Sequence, residues 1–491
     1  MLQEFYQILS EIYRLNCVRA LLDWDQQVCM PAAGGAERAE QQELLSRLVH
    51  DKFTDEKFIM VVDGLFSKSD SLSEADRVNV REIKRLLDRE RKLPCDFVAE
   101  KARVTSLSYV EWTKARPQGD FARVKGHLQK IVELNRREAD LVGYKENPYD
   151  ALLDYFEPHA TLSQVKPLLM QLAETLTPLV PELSRRFAGG GGAAGELSPD
   201  KQQSLCMRIA ADIGYSFERG RLDKAPHPFQ TSLGPDDIRI TTRFDPHNYL
   251  SAIFSMLHEG GHALYEMGLP TKEYKGTPLA SPASLAIHES QSRLWENMVG
   301  RSLSFAIYLH RVLKEFWPDG APVPSPESIW GQANRIAPSL VRIEADEVTY
   351  SLHVVIRMLL EEGLINGALE ADDLPAAWNE LYQKYLGISP SNDREGVLQD
   401  VHWYSGMIGY FPTYVLGNLY SALFMETARS RITDLEGQLA QGRFQALTAW
   451  LKENIHQHGM RFRALELARR VSGQELSIEP FVRYIKRKFA V

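Results

Sequence analysis

Apolar residues recur along this chain with the period of an α-helix almost from end to end. Phe5, Ile8, Leu9 and Ile12 follow the i, i+3, i+4, i+7 spacing, and Leu352, Val355, Ile356, Leu359 and Leu360 repeat it, with Gly363 as the expected stop. The same period runs through 124–141, 167–186, 200–213 and 444–455, and Ser198 before Pro199 reads as an N-cap followed by a first helical position. The fold class this predicts is mainly α. No segment of roughly 20 to 50 residues repeats, which argues against a solenoid.

Three stretches depart from the pattern. The glycine-rich run 189–195 cannot hold a helix and is expected to be a flexible surface connection between helical subregions at about 1–188 and 200–491. The proline-rich run 318–326 is expected to join two long helices. Between them, 237–243 alternates polar and apolar residues, the pattern of a half-buried strand whose polar face carries Asp237, Arg239, Thr241 and Arg243. The simplest version of that strand lies at a sheet edge with a solvated face.

Composition narrows the classes. Of 491 residues, 44% are hydrophobic and 25% charged, which excludes wholesale disorder and a polytopic membrane protein. Lys+Arg 57 against Asp+Glu 65 leaves a net charge of −8, which argues against a nucleic-acid partner held by overall charge. Cys17, Cys29, Cys95 and Cys206 show no CxxC spacing, as expected of reduced thiols. The N-terminus has an acid, Glu4, where a signal peptide would be basic, and Arg357 breaks the greasiest run, so neither secretion signal nor membrane span is expected. These features predict a soluble, cytoplasmic protein. The length allows about three domains, although a large helical enzyme can be one body.

Chemistry enters at His258-Glu259-Gly260-Gly261-His262, an HExxH sequence inside a segment of helical period. Histidines four apart share one helical face and can reach a single Zn²⁺, with Glu259 beside them as general base for the metal's water. With 13 histidines in the chain, chance would supply this pattern roughly 0.03 times, so it is specific. The apolar flank 249–257 is expected to bury the pair. Gly260 and Gly261 are each unfavourable in a helix by about 1 kcal/mol, which implies that substrate or a neighbouring backbone approaches closely there. A zinc with two His ligands needs a third protein ligand. Glu289 is the candidate, on a helix expected to start with Ser281 as N-cap and Pro282 at its first position, and Glu296 is its competitor one heptad later. Metal, water and an acidic base together hydrolyse amides, so the reaction class is peptidase.

Beyond the HExxH, several short strings occur in order. They are Leu22-Asp23-Trp24-Asp25-Gln26 with Met30-Pro31 and Gly34-Gly35-Ala36-Glu37; His227-Pro228-Phe229; Asp237-x-Arg239-x-Thr241; His288-Glu289-Ser290-Gln291; Val341-Arg342-x-x-Ala345-Asp346; and Gly396-x-x-Gln399-Asp400-x-His402-Trp403. Together they resemble the motifs of the carboxypeptidase Taq family of zinc metallocarboxypeptidases, with Val341 replacing the family's Ile. The resemblance implies a large helical body with a deep active-site groove, similar to the angiotensin-converting enzyme and neurolysin type, with a small β element lining it. It further implies one catalytic domain over 1–491, one Zn²⁺ per chain (Co²⁺ as a possible substitute) on His258, His262 and Glu289, and Glu259 as base. The implied activity is removal of single residues, with broad specificity, from the C-terminus of peptides, by a homodimer.

An exopeptidase must hold a free C-terminal carboxylate, which suits the planar fork of arginine. Arg239 and Arg342 are the motif arginines, with Asp237 and Asp346 as expected partners of their guanidiniums, or else structural salt bridges between elements. His402, Tyr410 and Tyr414 are candidate donors to the reaction's oxyanion, and Asp400 is expected to hold a ring nitrogen of His402 or of a metal-binding histidine. The rival readings are an endo- or dipeptidyl-acting peptidase and a helical scaffold that keeps a metal for stability.

Overall fold

In a computed structural model, which describes residues 1–189 and 196–491, helices dominate and a single three-stranded sheet accompanies them among the described residues. Most of the connection expected at 189–195 lies outside the described residues. The chain groups into two compact units, each assembled from three separate stretches: Met1–Glu90, Gly191–Ala333 and Tyr420–Glu475 in one, and Arg91–Gly190, Asn334–Leu419 and Leu476–Val491 in the other. Among the described residues no helix is long and apolar enough to cross a membrane, and all four cysteines are free.

In the first unit the predicted stripe of Phe5 and Leu9 belongs to the Leu2–Val28 helix. It packs with Phe58, Val61, Val62 and Leu65 of the Glu56–Phe66 helix and with Val80, Ile83 and Leu87 of the Glu74–Arg91 helix. The HExxH lies in the Tyr249–Gly268 helix, started by Asn248, whose side chain accepts from the Ser251 N–H, and buried along most of its length as its apolar flank requires. The third-ligand candidate lies on the Leu285–Arg293 helix, which begins later than expected. Ser284, not Ser281, is the cap, its Oγ accepting from the Ile287 N–H at 3.1 Å.

The sheet comprises β1 (Leu222–Lys224), β2 (Gln230–Gly234) and β3 (Asp237–Thr242) in the order β1-β3-β2. The predicted strand is therefore central, not an edge: β3 runs parallel to β1, with Ile240 opposite Leu222, and antiparallel to β2, with Arg239 opposite Thr231. Its alternation also fails at the end, where Thr241 and Thr242 are both buried.

In the second unit the Cys95–Gln118, Ala122–Val142, Pro148–Phe156 and Leu162–Leu176 helices accompany the Tyr350–Asn366 and Leu374–Leu386 helices. Two expected boundaries move. The period through 167–186 is interrupted by a 3-10 turn, Thr177–Leu179, because Pro178 offers no N–H to an α-helical ladder. The helix expected to stop at Gly363 continues to Asn366 and ends at Gly367, whose φ of 75° supplies the left-handed cap. The proline-rich run 318–326 leads from Leu303–Leu313 into a helix of only two turns, Pro326–Ala333.

Candidate metal centre

Two turns of one helix and the face of another build the centre. Gly261 is what lets them meet: a Cβ there would lie 2.5 Å from the Gln291 carbonyl oxygen and 2.7 Å from Ser292 Cα. The approaching group anticipated at the glycines is thus a neighbouring backbone at Gly261, while Gly260 meets side-chain ends, Ile213 at 3.4 Å and Met256 at 3.9 Å. That contact brings Glu289 to the histidines. Glu289 Oε2 lies 3.8 Å from His258 Nε2 and 3.6 Å from His262 Nε2, and the three ligand atoms lie within 4.8 Å of one another.

These separations are too long for hydrogen bonds and close to the spacing of about 3.3 Å that metal–ligand distances near 2.0–2.1 Å give in a tetrahedral site. Two imidazoles and a carboxylate, converging without bonding to each other, fit a divalent transition metal. The flanking groups fix which atoms converge. His258 Nδ1 donates to Glu296 Oε2 at 2.9 Å, leaving Nε2 to face inward, and Glu289 Oε1 accepts from Arg293 Nε at 2.7 Å while Oε2, which also accepts from Ser292 Oγ at 3.2 Å, faces the histidines. The His262 ring stacks on His288 with centroids 4.3 Å apart, and His288 is held by Glu266 at 3.1 Å.

Glu296, the competing ligand, is therefore the support behind His258. An α-helix would place it on the same face as Glu289, but Leu294–Gly300 is a π-helix, and the wider turn carries Glu296 round to His258, Arg293 and Arg301. Burial alone would raise its pKa, yet Arg293, the hydrogen bond to His258 and Arg301 outweigh it and hold the carboxyl well below the usual range. Glu259 is buried and has no such support, so burial pushes its pKa up to about 7 despite the attraction of His258. For His258, burial opposes the charged ring, but Glu289 and Glu296 prevail and raise the metal-free pKa to about 9, so a metal must displace a proton there. His262 is driven well below its ordinary value by burial and by its cationic neighbours, and stands neutral, as a ligand must.

The same unit holds Arg239. Its Nε and Nη2 bind Asp237 bidentately at 2.7 and 2.8 Å, and its guanidinium lies 4.2 Å from the centroid of the Trp24 ring. Asp237 is the partner expected for it. Thr241 is fully buried and its hydroxyl clips the Phe229 backbone, accepting from N–H at 2.8 Å, so it joins the His227-Pro228-Phe229 segment to β3 instead of facing solvent.

In the second unit Arg342 is buried, and its partner is not the one expected. Asp346 accepts from the Val348 and Thr349 N–H groups and from the Thr349 hydroxyl, so it closes the turn that leads into the Tyr350–Asn366 helix and leaves the guanidinium to Asp400. Arg342 Nε and Nη2 both lie 3.0 Å from Asp400 Oδ1, and Tyr414, Phe411 and Tyr350 surround the guanidinium at 5.1 to 6.0 Å from their centroids. Asp400 Oδ2 accepts from Arg357 at 2.6 Å. Asp400 thus serves two arginines, and its oxygen, 3.9 Å from His402 Nδ1, does not hold that ring. His402 Nε2 instead faces the Tyr414 hydroxyl at 3.4 Å, and burial, aided by the two arginines, lowers its pKa to about 4, so the ring is neutral near pH 7. Tyr410 packs edge-on against Phe156 at 5.1 Å.

Glu296 as support, Arg293, Arg301 and Arg357 went unassigned from sequence. Arg293 was legible as the i+4 partner of Glu289, and Arg357 as the charge inside an apolar run; it is completely buried.

Comparisons with known proteins agree on one family. The model of the carboxypeptidase Taq (M32) metallopeptidase family matches residues 4–489. Thermostable carboxypeptidase 1 of Thermus thermophilus is 39% identical, with 99% of this chain and 98% of the relative aligned. Among solved structures, the M32 carboxypeptidase of Deinococcus radiodurans superposes with a TM-score of 0.95 at 36% identity, covering 99% of this chain and 98% of the other. Metallocarboxypeptidase 1 of Trypanosoma cruzi gives 0.96 at 32% identity, covering 100% and 99%.

Proposed function

This chain belongs to the carboxypeptidase Taq (M32) metallopeptidase family, and from that premise we propose a zinc-dependent enzyme that removes single residues, with broad specificity, from the C-terminus of peptides. The observation that carries the proposal is the convergence of His258 Nε2, His262 Nε2 and Glu289 Oε2 beside the buried acid Glu259. When bound, the metal supplies Lewis-acid polarisation and an acidified water.

The residues of the chain do the rest. Glu259, with a pKa near 7, is poised to take a proton from the attacking water and return it to the leaving amine. Glu296 keeps the His258 tautomer that points Nε2 inward, and Arg293 orients Glu289. Arg239, pre-set by Asp237 and Trp24, and Arg342, pre-set by Asp400, are assigned to the substrate carboxylate, because a fixed guanidinium loses little freedom on binding an anion. His402, neutral, and Tyr410 are assigned as donors to the charge developing on the scissile carbonyl oxygen. Zinc is the metal proposed, with cobalt as a substitute, and a cytoplasmic homodimer acting as one catalytic domain over 1–491 is the proposed form.

Digestion of one peptide in free and C-terminally amidated form, followed by mass spectrometry, tests the function. A ladder of single C-terminal losses from the free peptide, none from the amidated one, and none from either with Glu259→Gln is the expected result. Internal cuts of the amidated peptide would instead make the enzyme an endopeptidase.

A further inference from the structure

Glu361 lies in the Tyr350–Asn366 helix and is completely buried, yet nothing above gives it work. Its three partners are all donors. The Trp403 indole N–H reaches Oε1 at 2.8 Å, while the Tyr149 hydroxyl at 2.7 Å and the Gly409 N–H at 3.1 Å reach Oε2. Trp403 directly follows His402, and Gly409 directly precedes Tyr410, so one carboxylate grips the 402–410 loop at both ends.

Buried rings also hold that loop, Trp403 edge-on to Trp378 at 5.8 Å and Tyr404 stacked on Trp112 at 6.2 Å, but among the described residues Glu361 alone of the side chains bonded to it reaches both Trp403 and Gly409. The loop contains one 3-10 turn, Trp403–Ser405, and isolated turn bonds such as Met407 N–H to His402 O at 2.8 Å. At its far end Gly409 has φ 95°, and a Cβ there would lie 2.9 Å from the Leu152 carbonyl carbon, so the loop rests on the backbone of the Pro148–Phe156 helix. The same helix supplies Tyr149 to Glu361 and Phe156 to Tyr410.

The chemistry demands a carboxylate. An indole N–H and a backbone N–H can only donate, and they sit on opposite oxygens of Glu361, so a glutamine amide would leave one donor facing its NH₂ group. Burial pushes the pKa of this carboxyl up to about 7 against the pull of its three donors, and so polar a group is costly to bury without a purpose that an apolar residue of the same volume could not serve.

We propose that Glu361 is a positioning residue: by holding Trp403 and Gly409 it sets where His402 and Tyr410 present their side chains to substrate, a role that presupposes those proposed above for the two residues. The structural alternative is that it merely supports the fold, and the two differ in how its loss combines with the loss of His402.

The test is steady-state kinetics of the full-length, zinc-loaded protein on an unblocked peptide, for wild type, Glu361→Gln, His402→Ala and the double variant, with metal content measured for each. Expected are a kcat about tenfold or more lower in Glu361→Gln at unchanged metal content, and a further loss at least about threefold smaller than that when Glu361→Gln is added to His402→Ala, the remainder being the part that acts through Tyr410. Wild-type kinetics in Glu361→Gln, or the same factor in both backgrounds, overturns the proposal. If Glu361→Gln does not fold, Tyr149→Phe, which removes one donor and keeps the ring, takes its place in the same cycle with a smaller loss expected under the same two criteria. A wild-type protein that releases no C-terminal residue would refute the carboxypeptidase function itself, an outcome distinct from either.

Discussion

Side chains in both units are held by opposite charges before any ligand arrives, and the sign of each pairing decides what its loss does. Replacing Glu296 with Ala frees the His258 ring to rotate or to exchange tautomers, and metal affinity is expected to fall about 10- to 100-fold, read by competition with a chelating indicator. An unchanged affinity would show that Glu296 only balances Arg293 and Arg301. At Asp400, burial alone would raise the pKa, but Arg357 and Arg342 outweigh it and hold the carboxyl well below its usual range. A depressed acid contributes stability above its unfolded value, near 3.9, and loses it as pH falls through the folded value. Asp400→Asn is therefore expected to cost about 3–5 kcal/mol at pH 7, by leaving two buried guanidiniums on a neutral amide. Urea unfolding should show that deficit constant between pH 7 and 5 and shrinking below about 4.

Helix contacts at the metal centre depend on where no side chain stands. Gly261 lets the Leu285–Arg293 backbone touch the Tyr249–Gly268 helix, and Gly300, whose Cβ would lie 2.5 Å from Leu257 Cδ1, leaves room for that side chain at the end of the π-helix. Gly261→Ala would gain about 1 kcal/mol of helix propensity. The contact it makes is with backbone that cannot rotate away, so a net destabilisation of about 1–3 kcal/mol is expected instead. Because Glu289 sits two residues before Gln291, metal affinity should fall with it. A titration showing stability and affinity both at wild-type levels would mean that the helices slide apart without cost to the site. The π-helix belongs to this scale too, since it separates the roles of Glu289 and Glu296, which a regular helix would have made rivals.

Over the whole molecule, apolar burial is extensive in both units, and the candidate metal site involves only a few of the buried residues of the first one. Removing the metal with a chelator is accordingly expected to abolish hydrolysis while far-UV circular dichroism keeps its helical signal, and to lower the melting temperature only by the linkage of metal to the native state. Collapse of the helical signal on chelation would instead make the metal a folding cofactor. The sequence alone determined the helical class and the placing of His258, Glu259 and His262 together on one helix, because period and spacing along one helix are local properties. Only the tertiary structure decided which of two glutamates faces the histidines, that β3 is central, that Asp400 and not Asp346 pairs with Arg342, and that Glu361 grips the loop of His402. Each of these depends on partners tens to hundreds of residues away or on a change of helical pitch, and neither leaves a periodic trace in the chain.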